Sequence, residues 1–268
     1  MPMLNPVEGE IFCFNKPYTM TSFRVVSKVR GILCNRLGIK NLKVGHAGTL
    51  DPLATGVLII CTGKATKQID TLQAGTKEYI ATLKLGATTP SFDMETEEDQ
   101  TYPYQHISRE MVEEVLQHFV GEIKQVPPNF SAVKIDGKRA YKMARKGNDV
   151  ELKAKTLVID EIELLSFDID PKKEPSKPQA IKIKQVDQEE AMRMADMAGQ
   201  PTITIRIVCR KGTYIRALAR DIGEALQSGA YLTSLIRTRI GDFRIQEARD
   251  IETFEQWVDT QQLYKPEE

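Results

Sequence analysis

The side chains best suited to chemistry crowd into residues 45–67, which read GHAGTLDPLATGVLIICTGKATK. One carboxylate, Asp51, and one histidine, His46, stand among four glycines (Gly45, Gly48, Gly56, Gly63) and Pro52. The apolar run 57–61 that follows reads as a buried strand. Glycine permits positive φ and close backbone approach, and Pro52 fixes the chain directly after Asp51. The spacing therefore predicts a rigid loop that displays a single carboxylate, a group able to act as nucleophile or to assist a leaving group. The plainer alternative is a turn in which Asp51 bonds its own backbone, as Asp often does. A phosphate-cradling loop is excluded, because Ala65 follows Gly63-Lys64 where Ser or Thr is required and Leu58 stands where the first glycine belongs.

The flanking elements have to hold that loop. A short strand at 10–14 runs into Asn15-Lys16-Pro17. Thr21 or Ser22 then caps a helix with Phe23, Val26, Val29, Ile32, Leu33 and Leu37 at helical spacing and Gly38 as its stop. Residues 66–72 read as a short helix. Residues 77–85 alternate, with Tyr79, Ala81, Leu83 and Leu85 on one face. Acidic residues 86–105 read as an irregular surface loop, and Ser108 caps a helix closed by Gly121. Residues 126–147, VPPNFSAVKIDGKRAYKMARKG, predict a strand at 132–135, a turn at Asp136-Gly137 and a basic helix over 138–146. Bases interleaved with Tyr141 there suit phosphate contacts on a segment free to close. Residues 156–170 are strand-like, whereas 171–199, Lys/Pro-rich and then acidic-helical, read as an insertion with no assigned role. Residues 201–209 alternate again, 210–226 form a turn and helix, and 251–263 an amphipathic helix around Trp257.

The chain has 268 residues, enough to bury a full core, and 37 basic side chains balance 37 acidic ones. Charge is nevertheless segregated: residues 93–122 are acidic, while 124–155 and 206–244 are basic, which suggests one face for phosphates. Four scattered cysteines and three histidines show no ligand spacing, so neither a disulfide nor a metal site is expected. No dinucleotide loop is present and no cofactor is expected. No apolar stretch is long enough to span a membrane and no leader is evident, so a cytoplasmic location is expected.

GHAGTLDPLATG resembles the catalytic loop of the TruB family of bacterial tRNA pseudouridine synthases, which act on the T-loop uridine at tRNA position 55. The resemblance implies that Asp51 is the catalytic carboxylate. NKPYTMTSF resembles the family's first motif, with Lys16 in a structural role beside the site. K-x-Y-x-A at 77–81 resembles the second, with Tyr79 stacking on the flipped base and a candidate proton acceptor. KGTYIR at 211–216 resembles the third, with Tyr214 lining the uridine pocket and Arg216 pairing with Asp51. LTSLIRTRIGDF implies that Leu235 packs against the base, and His46 is the candidate filler of the vacated space. Residues 126–147 resemble the RNA-clamping loop, with Lys134, Lys138, Arg139, Lys142 and Arg145 on tRNA. The resemblance spans 11–243 and implies an α+β fold, a mixed, largely antiparallel sheet flanked by helices with the cleft across it. Residues 1–250 then form the catalytic domain with an insertion at about 171–200, and 251–268 a helix and tail too short for a complete PUA domain. The T-arm of tRNA is the expected partner, no obligate protein partner is expected, and the chain is read as a monomer. Two rivals are an RNA-binding protein of the same fold without catalysis and a sugar hydrolase. The hydrolase requires a second carboxylate that the informative motifs lack.

Overall fold

Helix α1 (Ser22–Leu37) shows how closely local chemistry sets the frame. Thr21 Oγ1 accepts the Arg24 N–H at 3.1 Å, and Gly38 takes the left-handed conformation (φ 70°) that ends the helix. The computed structural model describes residues 3–130, 134–135, 138–139, 143, 152–170, 172, 180–181 and 188–264. Strand β1 (Ile11–Lys16) precedes α1, and β2 (Val44–His46) and β3 (Ala54–Thr62) follow it. A 3-10 turn (Gly63–Gln68) and α2 (Ile69–Ala74) lead to β4 (Lys77–Leu85), β5 (Ala87–Thr88) and β6 (Gln100–Thr101). Next come α3 (Arg109–Gln117), β7 (Gly121–Gln125), β8 (Lys134–Ile135), β9 (Lys138–Arg139) and β10 (Lys155–Asp168). Then follow α4 (Gln188–Met194), β11 (Thr202–Cys209), α5 (Ile215–Ala225) and β12 (Ala230–Ile240). The last elements are β13 (Phe243–Arg244), β14 (Arg249–Asp250) and α6 (Phe254–Asp259). The fold is α+β with a mixed central sheet.

Two compact units divide the chain, Met1–Glu78 with Ile236–Glu268, and Tyr79–Leu235. In the first unit β1 pairs antiparallel with β3, from Ile11 opposite Cys61 to Lys16 opposite Gly56, and parallel with β14. β2 pairs antiparallel with the far end of β3. Leu58 and Ile60 of β3 pack with Phe12, Phe14, Val25, Val29 and Phe254, while Val57, Ile59 and Cys61 pack with Ala47, Ala65 and Ile240. Both faces of β3 are covered, which is why its sequence is a continuous apolar run rather than an alternation.

In the second unit β10 pairs antiparallel with both β11 and β7. The Thr82 and Thr204 hydroxyls meet at 3.1 Å between β4 and β11, and Thr233 Oγ1 donates to Thr82 O between β12 and β4. Burial along β4 follows the expected alternation until Lys84, whose buried ammonium pairs with Glu98 at 2.7 Å.

Several expectations need correction. Phe23 does not join the buried face of α1; it is 69% exposed. Residues 86–105 are not simply a surface loop, because Ser91, Asp93, Met94 and Tyr104 are buried and β5 pairs with β6. Lys138 and Arg139 begin no helix: they are strand residues, with Ile135 opposite Lys138. The turn expected at Asp136-Gly137 lies outside the described residues. The C-terminal helix is shorter than 251–263, with Ile251 in a turn and α6 ending at Asp259. Of the inserted segment, the acidic portion forms α4 as expected, and Ala180 and Ile181 are buried, the Ile181 N–H donating to Met94 O at 2.7 Å.

Candidate active site

The loop that carries Asp51 leaves β2 at His46 and re-enters the sheet at Ala54, and the Ala54 N–H closes a turn on Asp51 O at 3.1 Å. Side chains from elsewhere in the same unit hold its other carbonyls. Arg237, only 2% exposed, donates from Nη2 to Gly48 O and from Nη1 to Thr49 O, both at 3.2 Å, and from Nε to Val57 O at 2.8 Å. The Ser22 hydroxyl donates to Leu50 O and accepts from Leu50 N–H, each at 2.9 Å. Lys16, fully buried, donates from Nζ to Pro52 O at 3.1 Å and to Pro17 O and Met20 O at 2.8 and 2.6 Å. Two glycines make the arrangement possible. Gly48 has φ 93°, and Gly56, at φ 100°, lies so close to the Arg237 backbone that a Cβ would stand 2.2 Å from Arg237 O.

Burial and the neighbouring charges act on the basic groups around this loop. Burial pushes the Lys16 ammonium down to about 7, while the Asp51 carboxylate draws it up and the Arg237 guanidinium pushes it down again. Burial, then Arg237, lowers the His46 pKa, so that imidazole is neutral near pH 7. A part-buried carboxylate on a loop whose backbone is held by buried Lys16 and Arg237 suits nucleophilic or leaving-group chemistry on a base or sugar.

The remaining candidates lie in the second unit. Tyr79 and Leu235 are 8% and 9% exposed, on β4 and β12. Tyr214 is the N-cap of α5, and its backbone N–H donates to Gln125 Oε1 at 2.9 Å. Arg216, in the first turn of that helix, is buried rather than surface-facing. Its Nη1 donates to Ser91 O at 3.1 Å, its Nη2 to Phe130 O at 2.9 Å, and its Nε stands 3.6 Å from Asp93 Oδ2. Phe92, between Ser91 and Asp93, has φ 58°, and the Arg220 guanidinium lies 5.1 Å from the centre of its ring. The structure thus groups Lys16, His46 and Asp51 in one unit, and Tyr79, Tyr214, Arg216 and Leu235 in the other.

Of the expected RNA clamp, Lys134 lies opposite Arg139 on β8 and β9, with Lys138 beside it, while Lys142 and Arg145 lie outside the described residues. Arg216 and Arg237, counted among the bases of a phosphate-facing surface, are buried and add nothing to it. Asp93, Ser22 and Arg237 were not singled out by the sequence as site residues. For Asp93 the only signal was an acid following Ser91 and Phe92 in an acidic run.

Comparison with known proteins decides the family. The family description "TruB family pseudouridylate synthase (N terminal domain)" matches residues 35–184. The "tRNA pseudouridine synthase B" of Phocaeicola vulgatus is 58% identical over 260 residues, 97% of each chain. The protein of that name from Bacteroides thetaiotaomicron is 58% identical over 265 residues, 99% of each. This chain belongs to the TruB family. A further TruB relative, from Flavobacterium johnsoniae, is 44% identical over 251 residues, 93% of this chain and 96% of its own. Among solved structures, the "Crystal Structure of a Cbf5-Nop10-Gar1 Complex" matches with TM-score 0.61 and 25% identity over 95% of this chain and 56% of that one. His46, Asp51 and Tyr79 fall inside the matched family segment, and Lys16, Tyr214, Arg216 and Leu235 fall within the span shared with the full-length TruB relatives.

Proposed function

We propose that this chain is a tRNA pseudouridine synthase that isomerises the T-loop uridine at position 55, with Asp51 as its catalytic carboxylate. The observation that carries this is the Asp51 loop, which displays a single carboxylate on a backbone held by buried Lys16 and Arg237, in a chain 58% identical to proteins named for that activity. In the reaction the N1–C1′ bond breaks and a C5–C1′ bond forms. C5 gives up its proton and N1 gains one, so the atoms balance without a co-substrate and no redox step is involved. The uridine must first leave its stack, at a cost of roughly a few kcal/mol. His46 fills the vacated space as a neutral ring, Tyr79 offers a π-face to the flipped base and is the candidate acceptor of the C5 proton, and Tyr214 and Leu235 line the pocket. In this reading Arg216, fixed by the Ser91 and Phe130 carbonyls and 3.6 Å from Asp93, is the guanidinium assigned to orient the catalytic carboxylate. Lys134, Lys138, Arg139, Lys142 and Arg145 grip T-arm phosphates, and tRNA is the partner.

The test is tritium release from T-arm stem-loop RNA labelled at uridine C5. The wild-type chain releases tritium, and Asp51→Asn releases essentially none while still binding the RNA. Release by Asp51→Asn at near the wild-type rate would remove the carboxylate from its role. Binding without release by the wild-type chain would favour an RNA-binding protein of the same fold.

A further inference from the structure

All five backbone carbonyls from Gly48 to Pro52 are engaged. Arg237 takes the first two, Ser22 the third, Ala54 N–H the fourth and Lys16 the fifth. Ser22 also accepts the Leu50 N–H, so one hydroxyl fixes both backbone polar groups of the residue immediately before Asp51. Gly48 and Leu50 are buried, so their carbonyls need protein partners; Thr49 is exposed and Asp51 and Pro52 partly so, where water could serve, yet their carbonyls are bonded within the protein as well. The holding groups are also expensive to bury: Arg237 is 2% and Ser22 3% exposed.

We propose that Ser22 and Arg237 are positioning residues for Asp51, fixing the backbone on its N-terminal side as Lys16 fixes it on the other. The proposal rests on the reading of Asp51 as the catalytic carboxylate. Neither side chain reaches substrate. Each acts through the peptide planes that set where the carboxylate points. Ser22 does so from the first turn of α1, and Arg237 from β12, whose backbone also lies against Gly56. The five groups that meet the carbonyls of residues 48–52 all belong to the same unit as Asp51. A catalytic group misplaced by about 1 Å can lose on the order of a hundredfold in rate, so partial release of this clamp has a kinetic signature.

The experiment compares the full chain with Ser22→Ala and Arg237→Lys in single-turnover tritium release from the T-arm stem-loop, and in backbone amide exchange at Leu50. Misplacement lowers the single-turnover rate constant, by roughly tenfold for Ser22→Ala, at full amplitude and unchanged RNA affinity. Arg237→Lys keeps the charge but cannot reach three carbonyls at once, and its rate constant falls likewise. Exchange at the Leu50 amide accelerates in Ser22→Ala, because that amide has lost its acceptor. Reduced amplitude at a wild-type rate constant would mark both side chains as scaffold and overturn the proposal. Unchanged protection of Leu50 would overturn it as well. A wild-type chain that releases no tritium refutes the assigned reaction instead, and the Leu50 exchange then judges the clamp by itself.

Discussion

Gly56→Ala tests whether the Asp51 loop is as tightly built as its hydrogen bonds indicate. Gly56 has φ 100°, and an added Cβ would lie 2.2 Å from Arg237 O and 2.9 Å from both Arg237 C and Arg237 N. All three are backbone atoms, so no side chain can swing away. Positive φ costs a non-glycine residue about 1–2 kcal/mol, and overpacking a rigid site costs about 1–3 kcal/mol more. The expected loss is about 3 kcal/mol, a large share of a typical stability of about 5–15 kcal/mol. Gly31 is the control within the same unit. It lies on the exposed side of α1 with nothing within 4 Å of where a Cβ would stand, so Gly31→Ala should gain about 0.5–1 kcal/mol from helix propensity. Urea unfolding followed by the fluorescence of Trp257, the single tryptophan and itself in that unit, reads both. A Gly56→Ala stability within about 1 kcal/mol of wild type would refute the close approach of β3 to the Arg237 backbone.

The pH dependence of stability follows from Lys16. Its folded pKa of about 7 lies below the ordinary 10.5, so between those values the unfolded chain binds more protons and stability rises with pH. The stability gap between wild type and Lys16→Met should shift in favour of wild type by up to about 1.4 kcal/mol per pH unit between about pH 7.5 and 9.5. A gap independent of pH would show that Lys16 keeps its proton throughout. In the second unit, Glu98 accepts from Lys84 at 2.7 Å and from the Tyr231 hydroxyl at 2.8 Å, with both charged side chains buried. Lys84→Met should cost about 3–5 kcal/mol by stranding the carboxylate, and Lys84→Met combined with Glu98→Gln should recover most of it. Equal losses in the single and double variants would show that the pair is not coupled.

What the sequence made legible was local. Thr21, Gly38 and Ser108 marked helix ends because capping is decided within four residues, and each does what its type and place suggest. The alternation over Tyr79, Ala81 and Leu83 was equally direct, because a strand's two faces are written into every second residue. Asp51 stood out because glycine and proline on both sides leave few conformations open. Phe23 failed for the converse reason: helical spacing says where a side chain points but not whether anything packs against it, and there it meets solvent.

The residues that hold the site were less visible, because burial of a charge depends on partners far along the chain. Asp93 and Glu98 sit in an acidic run whose composition is that of a solvated loop, yet each meets a buried cation, Arg216 and Lys84. Arg237 looked like one more base in a basic stretch, although its guanidinium reaches three carbonyls about 180 positions earlier. Such a side chain commits its charge to the backbone, so the same arginine that composition assigns to RNA phosphates is withdrawn from them. Formal charge counts therefore overstate the phosphate-facing surface of this chain. The basic groups that hold the Asp51 loop within its unit, Lys16 and Arg237, are buried away from any phosphate and well placed to fix the backbone on either side of Asp51.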